Sequence, residues 1–325
     1  MIEEIQLKTT ERKTCRLCES SELQDILSLG TQYISNFVEK DEIKEGIQAP
    51  LDLVQCKSCS LLQLRHTAPQ ELLYARHYWY RSGVTKFMKD ALQDIVNSVE
   101  TVVNLKDRDC VLDLGANDGT LLACYSNKNL IRIGCEPAKN LIEQLHKNAE
   151  LVIDDFWTYE NFKELAKTHA LDKAKVITAI GMFYDMEDPN QFVQDAQKAL
   201  ASDGVFIAQL MCLKPMLDNN DLGNICHEHL EFYSLESLVY LFEKNGLEIF
   251  KLEENNVNGG SYRIFCRHAT GNPLPIKETI SKAEIHAFVA RVNENRDKCL
   301  AFIKAKVGEG KTVYVYGAST KGNVI

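Results

Sequence analysis

The stretch Cys110-Val111-Leu112-Asp113-Leu114-Gly115-Ala116-Asn117-Asp118-Gly119-Thr120 constrains this chain more than any other. Its first five residues are apolar except for Asp113, the pattern of a strand buried on both faces. Gly115 and Gly119 then allow a tight turn and let bare backbone approach a ligand. Leu121, Leu122 and Tyr125 follow at helical spacing, so the segment reads strand, glycine turn, helix. A second strand is predicted over 131–134 and is followed by Glu136-Pro137. An acidic residue about twenty positions beyond the first strand is placed to accept both hydroxyls of a ribose.

A dinucleotide site needs G-x-G-x-x-G, so that helix amides approach a pyrophosphate. The loop here is Asp113-x-Gly115-x-Asn117-x-Gly119, which lacks that rhythm. It resembles the D-x-G-x-G-x-G loop of class I S-adenosylmethionine methyltransferases, with Asn117 in place of the middle glycine. The resemblance implies S-adenosylmethionine as cofactor, held by Asp113, Gly115, Asn117, Gly119 and Glu136. Taken alone, the loop also fits an ordinary strand-to-helix turn.

The 325 residues suggest about two domains. A net charge of −9 argues against nucleic acid or an anionic membrane as partner. No run approaches the roughly 20 apolar residues of a membrane span, and the start lacks the basic and apolar regions of a signal peptide. A cytoplasmic monomer acting on a small molecule is the expectation, and there eleven cysteines read as thiols and metal ligands. Cys15-Arg16-Leu17-Cys18 and Cys56-Lys57-Ser58-Cys59 are two C-x-x-C pairs, each able to grip one side of a tetrahedral ion. Four thiolates close the shell, so the metal predicted is a structural zinc. A redox pair or free thiols would leave the second pair unexplained. The 37 residues between Cys18 and Cys56 exceed the usual ribbon gap and must carry structure of their own, with strands expected over 27–38 and 51–55.

Tyr74, His77, Tyr78, Trp79 and Tyr80 form an aromatic cluster before Arg81-Ser82-Gly83. Trp79 is expected to pack a domain joint. Tyr78 and Tyr80 alternate, so in extended backbone both could line a cleft. An amphipathic helix follows from Val84 to Val103. Helices are predicted over 140–149 and 162–169 and strands over 151–153, 175–180 and 205–210, with Asp188-Pro189 opening a further helix as N-cap and first residue. This alternation predicts an α/β fold with a parallel, doubly wound sheet and ligands at the strand carboxyl ends. Asp155-Phe156 lies at one such end, placed for an adenine edge and face, although a plain turn fits too. Beyond a helix at 235–244, strands at 247–251 and 262–268 are joined through Asn258-Gly259-Gly260-Ser261. A long charged helix is expected from Ile276 to about Val307. A strand over 312–316 then leads into Gly317-Ala318-Ser319-Thr320-Lys321-Gly322-Asn323, read as the opening of a further unit cut short at Ile325.

The stretch Asn224-Ile225-Cys226-His227-Glu228-His229-Leu230-Glu231-Phe232-Tyr233-Ser234 is the most informative for chemistry. With the paired C-x-x-C, Tyr78–Ser82, the Asp113 loop, Asn258–Ser261 and Tyr316–Asn323, it resembles the zinc-containing nucleotide-sugar C-methyltransferases of branched deoxysugar pathways. The resemblance spans essentially the whole chain in order. It implies a class I methyltransferase with a Rossmann-like sheet over 81–270, a zinc-binding domain over 1–80, and a connector with the start of a C-terminal Rossmann-like domain over 271–325. It also implies carbon methylation of a keto sugar through an enolate. By resemblance His229 is the base, a role that an ordinary histidine near 6.5 suits. Glu228 would bind a sugar hydroxyl or hold a tautomer, and His227 would share a side with His229 if the backbone is extended. Tyr80 joins the catalytic set as an alternative base, and Ser82 the cofactor set. Cys226 stands where the family often has tyrosine, and Asp185 where it often has histidine. Both departures leave the sugar and its methylated carbon open. A second metal site or a polar turn at 226–229, methylation of oxygen, and a catalytically silent zinc-bearing binding protein are the competing readings.

Overall fold

The computed structural model describes residues 9–35, 46–75, 77–275 and 278–314. The Gly317–Asn323 loop lies outside them, as does the far end of the strand expected to reach Val38.

The N-terminal part is built from short antiparallel strands. β1 (Thr10–Glu11), β2 (Leu23–Tyr33), β3 (Gln48–Cys56), β4 (Leu62–Leu64) and β5 (His66–Thr67) precede one π-helical turn at Glu71–Ala75. β2 pairs with β3 from Leu23↔Cys56 to Tyr33↔Gln48, and β3 with β4. Both strands start earlier than their sequence suggests, because this pairing recruits the polar residues that flank each apolar run.

Helix α1 (Lys86–Val102) opens with Thr85, whose hydroxyl accepts the amide of Met88 at 3.2 Å. Strand β6 (Cys110–Leu114) is buried throughout, as its composition predicts. There follow α2 (Thr120–Ala123), β7 (Ile131–Cys135), α3 (Ile142–Asn148), β8 (Leu151–Ile153), α4 (Tyr159–His169) and β9 (Ala174–Ile180). Next come α5 (Pro189–Ala199), β10 (Leu200–Met211), α6 (Leu213–Asn219), β11 (Glu231–Phe232) and α7 (Leu235–Lys244). Asp188 caps α5 by accepting the Gln191 amide at 3.0 Å, with Pro189 in the first turn. Strands β12 (Leu247–Asn255) and β13 (Ser261–His268) and helix α8 (Lys282–Gly308) complete the elements. Residues 312–314 adopt no regular structure, and the rest of the strand expected over 312–316 lies outside the described residues.

The main sheet runs β12-β13-β10-β9-β6-β7-β8. β6 to β10 are parallel, and β13 is antiparallel to both neighbours. The chain leaves β6 toward β7 on one side and β9 on the other, which opens a crevice at their carboxyl ends. α1 covers one face through Leu92, Ile95, Val96 and Val99, packed with Val111, Val176, Ile207 and Phe265. On the other face Phe183 stacks near Phe242 and Tyr233, with ring centroids 5.5 and 5.8 Å away.

The N-terminal strands keep one small cluster of their own, Ile34, Ala49, Ala68, Leu72 and Leu73, and otherwise share their cores with the rest of the chain. Cys15, Leu17, Cys56 and Leu61 belong to the same apolar cluster as Leu112, Ile177, Phe183 and Phe206. β11 leaves the methyltransferase-like stretch to pair with β4, Glu231 opposite Gln63 and Phe232 opposite Leu62. The first turns of α8 press Ile285, Phe288 and Val292 onto Leu51, Leu53 and Leu62. Trp79 does not pack a joint: it is 56% exposed, with its ring against His77. No helix among the described residues is long and apolar enough to cross a membrane.

Candidate active site and metal centre

The two C-x-x-C turns are near copies of each other. The Glu19 amide donates to the Cys15 carbonyl and the Ser60 amide to that of Cys56, and both Glu19 and Ser60 take a φ of 63°. The amides of Leu17 and Ser58 each point at the first sulfur of their turn, at 3.4 Å. All four Sγ atoms lie within 4.8 Å of one another, Cys15 to Cys59 at 3.4 Å and Cys18 to Cys56 at 3.5 Å. A tetrahedral ion with Zn–S bonds near 2.3 Å needs edges of about 3.8 Å. The four thiols fit zinc, and closing on it needs only a small adjustment. The hydrogen bond between Cys15 and Cys59 pulls the Cys15 thiol down to about 5 and pushes that of Cys59 up, so Cys15 holds the thiolate of the pair and Cys59 the proton.

At the carboxyl ends of β6 to β9 lies a cavity of about 350 Å³. Tyr80, Ser82, Gly115, Asn117, Glu136 and Phe156 all line it. Gly115 has a φ of 67°, and a Cβ there would come within 2.9 Å of Met182. Glu136 is buried and accepts the amides of Asn117 and Ala138, each at 2.8 Å. Burial raises its carboxyl, and these two amides oppose the rise. Asn117 adopts a φ of 53°, the region a glycine would favour and asparagine tolerates. Its side chain accepts the Ser82 amide at 2.9 Å and donates to the Tyr80 carbonyl at 3.1 Å. The residue that breaks the glycine pattern therefore clips the Tyr80–Ser82 segment to the loop. Tyr78 lines the cavity beside Tyr80, as their alternation suggests.

Other sequence candidates are not part of this wall. Asp113 is buried inside the sheet, where the Thr178 hydroxyl donates to it at 2.6 Å and burial pushes its carboxyl up to about 7. Gly119 starts α2, and a Cβ there would lie 2.7 Å from Asn148, so it serves helix packing. Asp155 is exposed and accepts the Phe156 amide. Its neighbour Trp157 does line the cavity, with an indole nitrogen that has no partner among the described residues.

Residues 226–229 form a turn, closed by the His229 amide on the Cys226 carbonyl at 3.1 Å. They are not extended, so His227 and His229 do not share a side. His227 is buried and meets the Ala49 carbonyl of β3 at 3.0 Å through Nε2, and burial lowers its basicity. His229 meets the Asn224 carbonyl at 2.8 Å through Nδ1, with its ring 4.5 Å from that of Tyr184. It lines a small neighbouring space with Tyr184 and Glu231. The Glu228 carbonyl accepts the Tyr74 hydroxyl at 2.8 Å, and Tyr74 lines the main cavity. The only cluster of metal-binding groups among the described residues is the four cysteines, so 226–229 is no second metal site there.

Sequence reasoning noted Asp185 only as a departure from the family pattern and missed the acidic wall it forms with Glu187. Asp185 and Glu187 both line the cavity. Glu187 is held by Arg12 at 2.7 Å and by Arg16, which is itself 1% exposed. Arg16 sits inside the first C-x-x-C turn and also reaches the Leu64 carbonyl at 2.6 Å, Thr67 at 2.8 Å and the buried Glu231 at 3.5 Å. One buried cation thus ties the metal turn to the cavity wall and to β11. The charged residue within Cys-Arg-Leu-Cys was the available sequence signal.

The sheet, with its antiparallel strand between β10 and β12, and the glycine loop facing a buried acid define a class I S-adenosylmethionine-dependent methyltransferase. Family models match in the same order as the elements: a zinc binding domain over residues 15–74, a methyltransferase domain over 80–252 and a C-methyltransferase C-terminal domain over 256–325. The methyltransferase model spans more than half of the chain, which therefore belongs to that methyltransferase family, with the zinc binding and C-methyltransferase C-terminal matches on either side of it. C-methyltransferase NovU of Streptomyces niveus is 29% identical over 325 residues, covering 96% of this chain and 77% of that protein. Among solved structures, mycolic acid cyclopropane synthase CmaA1 matches 61% of this chain and 90% of its own at 15% identity and a TM-score of 0.42. An S-adenosylmethionine-dependent methyltransferase of Leishmania major matches 57% and 75% at 14% identity and a TM-score of 0.44.

Proposed function

We propose that the acceptor is a keto sugar carried on a nucleotide, and that the methyl goes to the carbon beside its carbonyl. The observation that carries this reading is a single cavity walled both by the cofactor loop with Glu136 and by hydrogen-bonding groups from Tyr74, Tyr78 and Asp185. Gly115 leaves backbone bare there, and Glu136 keeps lone pairs for the ribose hydroxyls of the cofactor. When bound, S-adenosylmethionine supplies an electrophilic methyl group. The chain must supply a base, a place for the carbonyl oxygen, and exclusion of water.

His229 is our base. Its Nδ1 faces a carbonyl and therefore carries the proton, which leaves Nε2 as the basic nitrogen. Glu228 binds a sugar hydroxyl, and Tyr80 and Ser82, held by Asn117, border the cofactor. The match of residues 256–325 to a C-methyltransferase C-terminal domain supports a role for that region in holding the nucleotide. The enzyme works in the cytoplasm as a monomer, where the seven cysteines besides the four zinc ligands stay reduced.

Exchange of the acceptor C–H in deuterated water, followed by NMR with S-adenosylhomocysteine and a panel of keto sugar nucleotides, tests the reading. The unmutated enzyme exchanges one position of one acceptor. His229→Asn slows that exchange by about 10²- to 10⁴-fold, the usual worth of a general base, while binding S-adenosylhomocysteine normally. Undiminished exchange in the variant removes His229 from the role and leaves Glu228 or Tyr80.

A further inference from the structure

We propose that Asp185 acts as a neutral carboxylic acid, donating a hydrogen bond to the acceptor's carbonyl oxygen as the enolate forms. The proposal rests on the carbon-methylation reading above and deepens it.

Asp185 is 7% exposed and lines the cavity, yet its Oδ1 has no hydrogen-bond partner among the described residues. Buried polar atoms are rarely left so, and one at the wall of a ligand cavity points to a ligand that completes it. The backbone on either side is pinned. The Asp185 amide donates to the Met182 carbonyl at 3.1 Å, and its carbonyl accepts the Gln70 side chain at 3.0 Å. A side chain on so fixed a base is held in place at the cavity wall.

Its surroundings decide the protonation state. Burial is the largest influence and raises the carboxyl well above its usual range, and the nearby Glu228 and Glu231 raise it further. A hydrogen bond with Tyr74 opposes them. Tyr78, Tyr184 and Cys226 also face it, and each is itself held neutral by burial. The buried cation Arg16 is taken by Glu187 and Glu231. A carboxyl so placed keeps its proton at neutral pH and becomes a donor.

Enolate formation asks for such a group. The acceptor C–H bond breaks, its proton passes to Nε2 of His229, and the electron pair moves into the carbonyl so that negative charge collects on oxygen. A donor at that oxygen stabilises the enolate more than the ketone. Cys226 is buried, with its sulfur on the Asn224 carbonyl, and is a weak donor. Asp185 fills that need.

The test compares Asp185→Asn and Asp185→Leu with the unmutated protein. Infrared difference spectra at neutral pH report protonation without any acceptor: a carboxylic-acid C=O stretch present in the unmutated protein and absent from the asparagine variant supports the proposal. In the deuterium-exchange assay, asparagine, which still donates, retains most of the rate, while leucine loses about 10²- to 10³-fold, the scale of one missing oxyanion donor. S-adenosylhomocysteine affinity, unchanged in both, shows that the variants are folded. An ionised carboxylate at neutral pH, or asparagine as impaired as leucine, overturns the proposal. Failure of the underlying reading is separate: the unmutated enzyme then exchanges no acceptor C–H although its infrared spectrum shows the acid.

Discussion

Asp113 shows how a residue of the defining motif can work without touching a ligand. It is enclosed by β7 and β9, hydrogen-bonded to Thr178 and near Glu136, and its carboxyl titrates at about 7. In the unfolded chain the same group titrates near 3.9. Between about pH 4 and 7 the folded protein therefore holds a proton that the unfolded chain has released. Folding is most favoured at the acid end of that window and loses up to roughly 1.4 kcal/mol per pH unit as pH rises through it. Asp113→Asn keeps an acceptor for Thr178 and removes the titration. Urea midpoints at pH 5 and pH 8 check this: the unmutated protein drops between the two values, and the variant drops less. Parallel behaviour of the two proteins would show that Asp113 is not the group responsible. That Asp113, Gly115 and Glu136 come together at the ends of β6 and β7 was readable from spacing. Their division into cavity wall and sheet interior was not, because spacing does not say which way a strand residue faces.

At the scale of elements, the first C-x-x-C turn does two jobs. Its sulfurs form half of the metal cage, and its Arg16 holds Glu187 and Glu231 from inside the protein. The sequence suggests a zinc domain that would unfold first when its metal is lost. The structure argues otherwise, since Cys15, Leu17 and Cys56 share an apolar cluster with the main sheet and β11 closes the N-terminal sheet. Cys15→Ser should lose the zinc, whose thiolate ligation contributes on the order of 10 kcal/mol in small zinc domains. Far-ultraviolet circular dichroism against urea should then show one transition, displaced to lower urea. Two separated transitions, the later one unshifted, would contradict a shared core. The sequence did not reveal β4 and β11, three and two residues long, because their pairing depends on partners far apart in the chain. The parallel strands were legible because burial on both faces leaves continuous apolar runs, and α5 because Asp188-Pro189 is a strong local start signal.

Over the whole molecule, the order zinc turns, parallel sheet, antiparallel pair and long helix was legible, and it is the order in which the family models match. What the sequence could not convey is how the parts converge. The cavity draws on the π-helical turn, the segment before α1, four strand ends and the start of α5. Asp185 acquires its meaning only when Tyr74, Glu228 and Glu231 arrive around it from two other places in the chain. The central claim is that this assembly makes a carbon–carbon bond to an acceptor activated beside a carbonyl. The most direct measurement uses S-adenosylmethionine carrying ¹³C in its methyl group, keto sugar nucleotides as acceptors, and ¹³C NMR of the product. The account predicts a methyl signal at the shift of a carbon-bound methyl, coupled to the acceptor carbon that lost its proton. A methoxy signal, or a labelled cofactor left unconsumed with every keto acceptor, would contradict it.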